Sequence, residues 1–203
     1  MFFALPDWDR ALFTLLNQQW RGPLLDALLP VFSWTWLIWT LGGGCAVVLG
    51  LRARRRGGTQ GMRRAVAATL CVLLAVGLAD AATDYLKDSC CRSRPLNCLP
   101  LTWHQEDGLW LQRPADFTPR PDTCGSSFPS GHATNTMAVA AAIILLRGGR
   151  GRWLLLLPLL TGWSRVYLGK HFPSDVMAGW IMGLTGAAIA WALWRLARKR
   201  LED

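Results

Sequence analysis

The chain has 203 residues, 52% of them hydrophobic, and a formal charge of +9. That length suits one domain, residues 1–203, and uncharged runs such as "LLPVFSWTWLIWTLGGGCAVVLGL" (28–51) can cross about 30 Å of hydrocarbon as a helix; an ordinary water-soluble bundle is excluded. The charge does not argue for nucleic acid either, because the basic residues sit in short clusters between apolar runs, as topogenic signals do.

The opening "MFFALPDWDRALFTLLNQQW" has acidic residues but no basic n-region or small-residue cleavage site, so no cleaved signal is expected. Within 8–22, Trp8, Ala11, Leu12, Leu15 and Leu16 recur at helical spacing with polar residues opposite. This predicts an amphipathic helix lying in the outward interface of the membrane, with a sixth, partly inserted helix as the alternative.

Five spanning helices follow, at about 25–51, 65–86, 132–147, 152–166 and 174–196. The expected fold is all-α, a polytopic transmembrane helical bundle. Gly42 to Gly44 and Pro158 fall inside spans, where neighbouring helices repack around such residues. "RARRRGGTQGMRR" (52–64), "RGGRGR" (147–152) and the tail "RLARKRLED" hold 13 of the 22 Lys and Arg, all on one side of a five-span count. The positive-inside rule makes that side cytoplasmic. The loop 87–131 and the stretch 164–175 then meet at the opposite, outward face.

Cys45 and Cys71 lie inside spans and read as packing residues. Cys90, Cys91, Cys98 and Cys124 all fall in the outward loop, where an oxidising compartment favours disulfides. Adjacent Cys90 and Cys91 bond poorly to each other, so each is expected to bond to one of Cys98 and Cys124, in either arrangement.

Three outward stretches carry chemistry: "KDSCCRSRP" (87–95), "FPSGHATN" (128–135) and "SRVYLGKHFPSD" (164–175). Lys87, Arg94 and Arg165 are cations, and the arginines can fork onto phosphate oxygens. Ser130 stands where it can cap a helix, and the free N–H groups near Gly131 make an anion site. The convergent ligand is an anion with several oxygens, most simply a phosphate. His171 and Asp175 are four apart, and a helix starting near Pro173 lets the carboxylate hold one imidazole tautomer. His132 is then free to act as a general acid.

These stretches read as K-x6-RP, PSGH and SR-x5-H-x3-D, in order and complete. The chain thereby resembles the type-2 phosphatidic acid phosphatase superfamily. The resemblance implies that His171 is the nucleophile and forms a phosphohistidine, that Asp175 orients it, and that His132 protonates the leaving group. It implies that Lys87, Arg94, Ser130, Gly131 and Arg165 hold the phosphate, with no metal and no other cofactor. Members often have six spans; here the short N-terminal helix stands in place of the first.

A site at the outward face, fed from the bilayer, favours a membrane lipid phosphate or diphosphate. The expectation is a metal-independent lipid phosphatase of a bacterial cytoplasmic (inner) membrane, acting toward the periplasm or exterior, with undecaprenyl diphosphate the first-choice substrate. Phosphatidylglycerol phosphate, phosphatidic acid and lipid A follow. A lipid phosphotransferase and a non-enzymatic lipid transporter are the readings from other classes. The partners are the bilayer and the lipid substrate, with no nucleic acid and no obligate protein. Trp103, Trp110 and Phe117, in 96–127, are expected to shape selectivity.

Overall fold

The structure, a computed structural model, describes residues 6–119 and 127–202. In chain order it contains α1 (Asp7–Thr14), a π-helical turn (Leu15–Gln19), α2 (Pro23–Leu28), a 3-10 turn (Leu29–Ser33) and the long α3 (Thr35–Ser89). Then come α4 (Pro95–Cys98), the strands β1 (Trp103–Glu106) and β2 (Leu109–Gln112), α5 (Gly131–Leu146), α6 (Leu156–Tyr167) and α7 (Pro173–Glu202).

The loop expected at 52–64 is helical on both sides of a two-residue break at Gly57 and Gly58. Gly58 takes φ +57°, a left-handed conformation that favours glycine. The chain doubles back there, so that a Cβ on Gly61 would come within 2.2 Å of the Ala53 carbonyl oxygen. α3 is therefore a helical hairpin.

The expected span 25–51 is broken near its start. Pro30 sits in the 3-10 turn and Trp34 is extended (φ −78°, ψ 101°), so the long helix begins at Thr35. Among the described residues two helices are long and apolar enough to cross a membrane, Ala46–Ser89 and Pro173–Lys199, rather than five. α5 has 16 residues and α6 has 12, about 24 and about 18 Å at 1.5 Å per residue, short of a full hydrocarbon core.

Burial is inverted relative to a water-soluble bundle. The clusters joining α3, α5 and α7 are made of Cys71, Ala75, Ala141, Ala142, Ala187 and Ala190, and of Val76, Ala79 and Ala138. Leu70, Leu73, Ile181, Leu184 and Leu193 face outward. Small residues inside let backbones approach, and large apolar ones outside suit lipid.

These contacts fix helix direction. Ala133 and Ala138 lie against Gly179 and Gly183, and Ala142 shares a cluster with Ala190, so α5 and α7 run parallel. The second arm of α3 runs against them, with Ala79 beside Gly186, Thr83 beside Thr134 and Lys87 beside Gly131. The end of α3 and the starts of α5 and α7 thus meet at one end of the bundle. The arginines of 147–152 and of the α7 tail lie at the other end.

The N-terminal helix differs from its expected role. Its Trp8 and Leu12 are exposed, while Asp9, Phe13 and Asn17 are completely buried. The face read as polar is the one docked on the protein. Asn17 Nδ2 donates to the carbonyls of Trp103 (2.9 Å) and Tyr167 (2.7 Å), and its Oδ1 accepts from Trp103 N (2.9 Å). Phe13 packs on Phe172, with ring centroids 5.6 Å apart.

The connection between α3 and α5 contains an antiparallel hairpin, β1 with β2, turning at Asp107 (φ +50°) and Gly108 (φ +80°). Asp-Gly suits such a two-residue turn. The disulfide expectation is corrected at two positions, because Cys90 and Cys98 are free thiols. Cys98 packs on Phe13, Val166 and Phe172 as a small apolar residue, and burial pushes its thiol up to about 11. Cys91 is not among the free cysteines, and Cys124 lies outside the described residues.

A Cβ on Gly183 would stand 2.4 Å from the Thr134 carbonyl oxygen, whereas one on Gly77 meets nothing within 4 Å. Gly183→Val is expected to cost about 1–3 kcal/mol by forcing α5 and α7 apart. Gly77→Ala is expected to stabilise by up to about 1 kcal/mol through helix propensity. Thermal melting of both variants in detergent checks the contrast.

Candidate active site

His171 lies in the short connection between α6 and α7, with 4% exposure. Its Nδ1 is 2.7 Å from the Ser127 carbonyl oxygen and 3.7 Å from Asp175 Oδ2. A carbonyl can only accept, so Nδ1 carries the proton and the Nε2 lone pair is free. Burial, followed by the charges of Arg165 and Arg94 and against the pull of Asp175, pushes the imidazole down to about 4. The ring is neutral at ordinary pH, the form a nucleophile requires.

Asp175 sits in the first turn of α7 with no exposure. Its Oδ2 accepts from Ser127 Oγ (2.7 Å) and Phe172 N (2.8 Å), and its Oδ1 from Arg92 Nη1 (2.5 Å). The carboxylate thus fixes both the residue whose carbonyl holds His171 and the residue that follows His171. Its backbone carbonyl accepts from Ser130 N (3.0 Å), tying α7 to the start of α5.

Ser130 occupies the N-cap position of α5 but makes no side-chain cap bond. Its buried Oγ has no hydrogen-bond partner, and neither does the buried Nε of Arg165. Arg165 has 6% exposure and no carboxylate partner among the described residues. A buried polar atom without a partner is costly, and two of them beside a free helix N-terminus suit a bound anion. Lys87 Nζ lies 3.1 Å from Asp84 Oδ1 and would be 3.3 Å from a Cβ on Gly131, so glycine there lets the ammonium reach the helix start. His132, in the first turn of α5, hydrogen-bonds the Ser33 backbone and lies within electrostatic reach of His171. Arg94 precedes Pro95 at the start of α4 and acts on His171 from there. All eight predicted site residues are brought to the same end of the bundle.

The profile of the PAP2 superfamily matches residues 68–200. The chain belongs to that superfamily. Glucose-6-phosphatase 3 of Homo sapiens is 33% identical over 110 residues, covering 46% of this chain and 31% of that protein. The putative undecaprenyl-diphosphatase YbjG of Escherichia coli (strain K12) is 37% identical over 76 residues, covering 37% of this chain and 38% of that protein. The matched stretch is thus about a third of these relatives' own length. The crystal structure of Aquifex aeolicus LpxE shares the fold with a TM-score of 0.63 and 24% identity, over 94% of this chain and 98% of that one. That of a Bacillus subtilis PAP2-type phosphatidylglycerolphosphate phosphatase gives 0.60 and 23%, over 92% and 84%.

Four residues of this PAP2 protein's site escaped sequence reasoning. Arg92 and Ser127 bond Asp175, as above. Asp9, on α1, accepts from Arg92 Nη2 (2.6 Å) and from the Ser174 N–H (2.8 Å). Lys170 is half-buried, and its ammonium is pushed below its ordinary value by burial and then by Arg165 and Arg94. A lysine beside the histidine within the third motif is the one signal that was available. Trp103 and Trp110, expected to shape selectivity, flank the Arg21 guanidinium at 4.7 and 4.1 Å, with Tyr167 on a third side at 4.5 Å. Arg21 also pairs with Asp26.

With His171 near 4 in the folded chain and near 6.5 unfolded, the unfolded state takes up the extra proton first as pH falls. Its contribution to stability is present above about pH 6.5 and is lost on the way down to about pH 4. His171→Asn is expected to flatten that dependence. Melting midpoints in detergent, compared between about pH 7 and about pH 4.5, check it.

Proposed function

We propose that this protein is a membrane lipid phosphatase that hydrolyses a lipid phosphate or diphosphate through a phosphohistidine, with undecaprenyl diphosphate as first-choice substrate. The observation that carries the reading is a neutral His171 with a free Nε2, set among the unpartnered Ser130 Oγ and Arg165 Nε. Membership of the PAP2 superfamily and the phosphatases among its relatives support it.

In this reading Arg94, Arg165, Lys87, Ser130 and the N–H groups at Gly131 hold the phosphate oxygens and neutralise charge in the transition state. His171 Nε2 attacks the terminal phosphorus. The phosphorus–oxygen bond to the lipid breaks, and His132 delivers a proton to the leaving oxygen. The phosphate's negative charge favours the protonated form of His132. Water then attacks the phosphohistidine and gives its proton to His132; the nitrogen–phosphorus bond breaks and inorganic phosphate leaves. Asp175 keeps the Nδ1 proton in place throughout by holding Ser127.

The bundle is read as five spans plus the docked N-terminal helix. The short α5 and α6 bring the site toward the headgroup level. The basic segments lie at the end remote from His171, which under the positive-inside rule supports a site at the outward face of a bacterial inner membrane.

Lys170 adds a cation beyond those that grip one phosphate, which favours a diphosphate. Lys170→Ala is expected to raise KM for undecaprenyl diphosphate about tenfold, about 1.4 kcal/mol, and for phosphatidic acid by less. Steady-state kinetics with both lipids checks it.

The deciding experiment measures phosphate release in detergent with EDTA present, using undecaprenyl diphosphate, phosphatidylglycerol phosphate, phosphatidic acid and lipid A. Release is expected from undecaprenyl diphosphate with at least about tenfold preference, and His171→Ala is expected to abolish it. Equal activity of that variant overturns the mechanism. Phosphate transferred to an added lipid acceptor, rather than released, identifies a phosphotransferase.

A further inference from the structure

A charge network joins α1 to the start of α7, and two of its charged members, Arg92 and Asp9, are not among the eight predicted site residues. Arg92 has 8% exposure, and Asp9 and Asp175 have none. Arg92 Nη1 donates to Asp175 Oδ1 (2.5 Å) and Ser174 Oγ (2.7 Å), and Nη2 donates to Asp9 Oδ2 (2.6 Å). Asp9 also accepts from Ser174 N (2.8 Å) and Ser174 Oγ (2.5 Å). The guanidinium stacks on Phe172, 4.6 Å from its ring centroid. One buried cation is shared between two buried carboxylates, one of which faces His171.

We propose that Arg92 is a positioning residue for the His171–Asp175 pair, and that Asp9 of the N-terminal helix sets how much of its charge reaches Asp175. The inference rests on His171 as the nucleophile. The groups facing His171 are Asp175 from α7, Arg165 from α6, His132 from α5, Arg94 from the start of α4, and Lys170 beside it. Asp175 is the carboxylate in that set, so the negative field on the imidazole depends on how far Asp175 is compensated. Removing the Arg92 charge leaves Asp175 uncompensated and favours an imidazolium, which cannot attack. Removing the Asp9 charge leaves Arg92 to Asp175 alone and acts in the opposite sense. A purely structural tie predicts that both changes lower stability and that neither moves the titration of His171.

The test compares the purified full chain with Arg92→Gln, Arg92→Lys and Asp9→Asn in detergent. One readout is the pH dependence of kcat/KM for phosphate release from undecaprenyl diphosphate. The other is imidazole titration by NMR with labelled histidine; the chain has three histidines, and His171→Ala assigns the signal. Arg92→Gln is expected to move the acid limb and the His171 titration upward by about one pH unit. Asp9→Asn is expected to move them downward, and Arg92→Lys to stay near wild type. Shifts of the same sign in Arg92→Gln and Asp9→Asn, or no shift in either, overturn the inference. If Arg92→Gln does not fold, Asp9→Asn decides: a downward shift supports the network and an unmoved one overturns it. Wild-type protein that releases no phosphate while its titrations shift as stated fails the enzyme reading and keeps the network.

Discussion

A carboxylate with no exposure must find a donor for each of its oxygens, and Asp175 finds them in three separate parts of the chain. Arg92 comes from the end of the first motif, Ser127 from ahead of the second, and the Phe172 N–H from within the third. An uncompensated charge at this depth would cost several kcal/mol. The cost of leaving Asp175 alone is therefore what draws the three motifs together. His171 is held by the same arrangement at one remove, through the Ser127 carbonyl.

Around that anchor the bundle is built from small residues. Gly179, Gly183 and Gly186 let α7 approach α5 and α3 until backbone oxygens fill the space a side chain would need. Close approach fixes the register between helices and so fixes which helix ends coincide. The eight predicted site residues then converge because each stands within a turn of a helix terminus. The ionisable groups around His171 gather at one tip of an apolar bundle, and the arginines of 147–152 and of the α7 tail at the other.

Much of the site was legible because phosphate chemistry admits few residue types. Lys87, Arg94, His132, Arg165, His171 and Asp175 announce themselves as ionisable groups in otherwise apolar surroundings. Arg92 did not, because it lies between two better-marked cations and its partners are 83 positions away. Asp9 was hidden by a sound rule applied to the wrong surface. Helical periodicity separates two faces of 8–22 but does not say which meets lipid and which meets protein. Trp8 and Leu12 take the outside and Asp9 and Asn17 the inside, the reverse of a water-soluble helix. Apolar composition marked where the helices lie but not their length: Pro30 and the extended Trp34 shorten the first, α5 and α6 fall short, and two helices among the described residues are long enough to cross a membrane. Cys90 and Cys98 misled because loop position suggests oxidation, whereas both are free thiols and Cys98 packs against the cluster that holds Phe13.

The bond between Asp9 and Ser174 joins residues 165 positions apart. In a chain made from its N-terminus at about 5–20 residues per second, α1 waits roughly ten to thirty seconds before Ser174 exists. Arg92, the cation that Asp9 meets, is made halfway through that interval, but Ser174 and Asp175, which complete its surroundings, come only with α7. The network around Asp175 is thus closed only when α7 joins a segment made 165 positions earlier. Assembly of that network becomes a report on the arrival of α7, and a chain stalled before α7 lacks Ser174 and Asp175 alike.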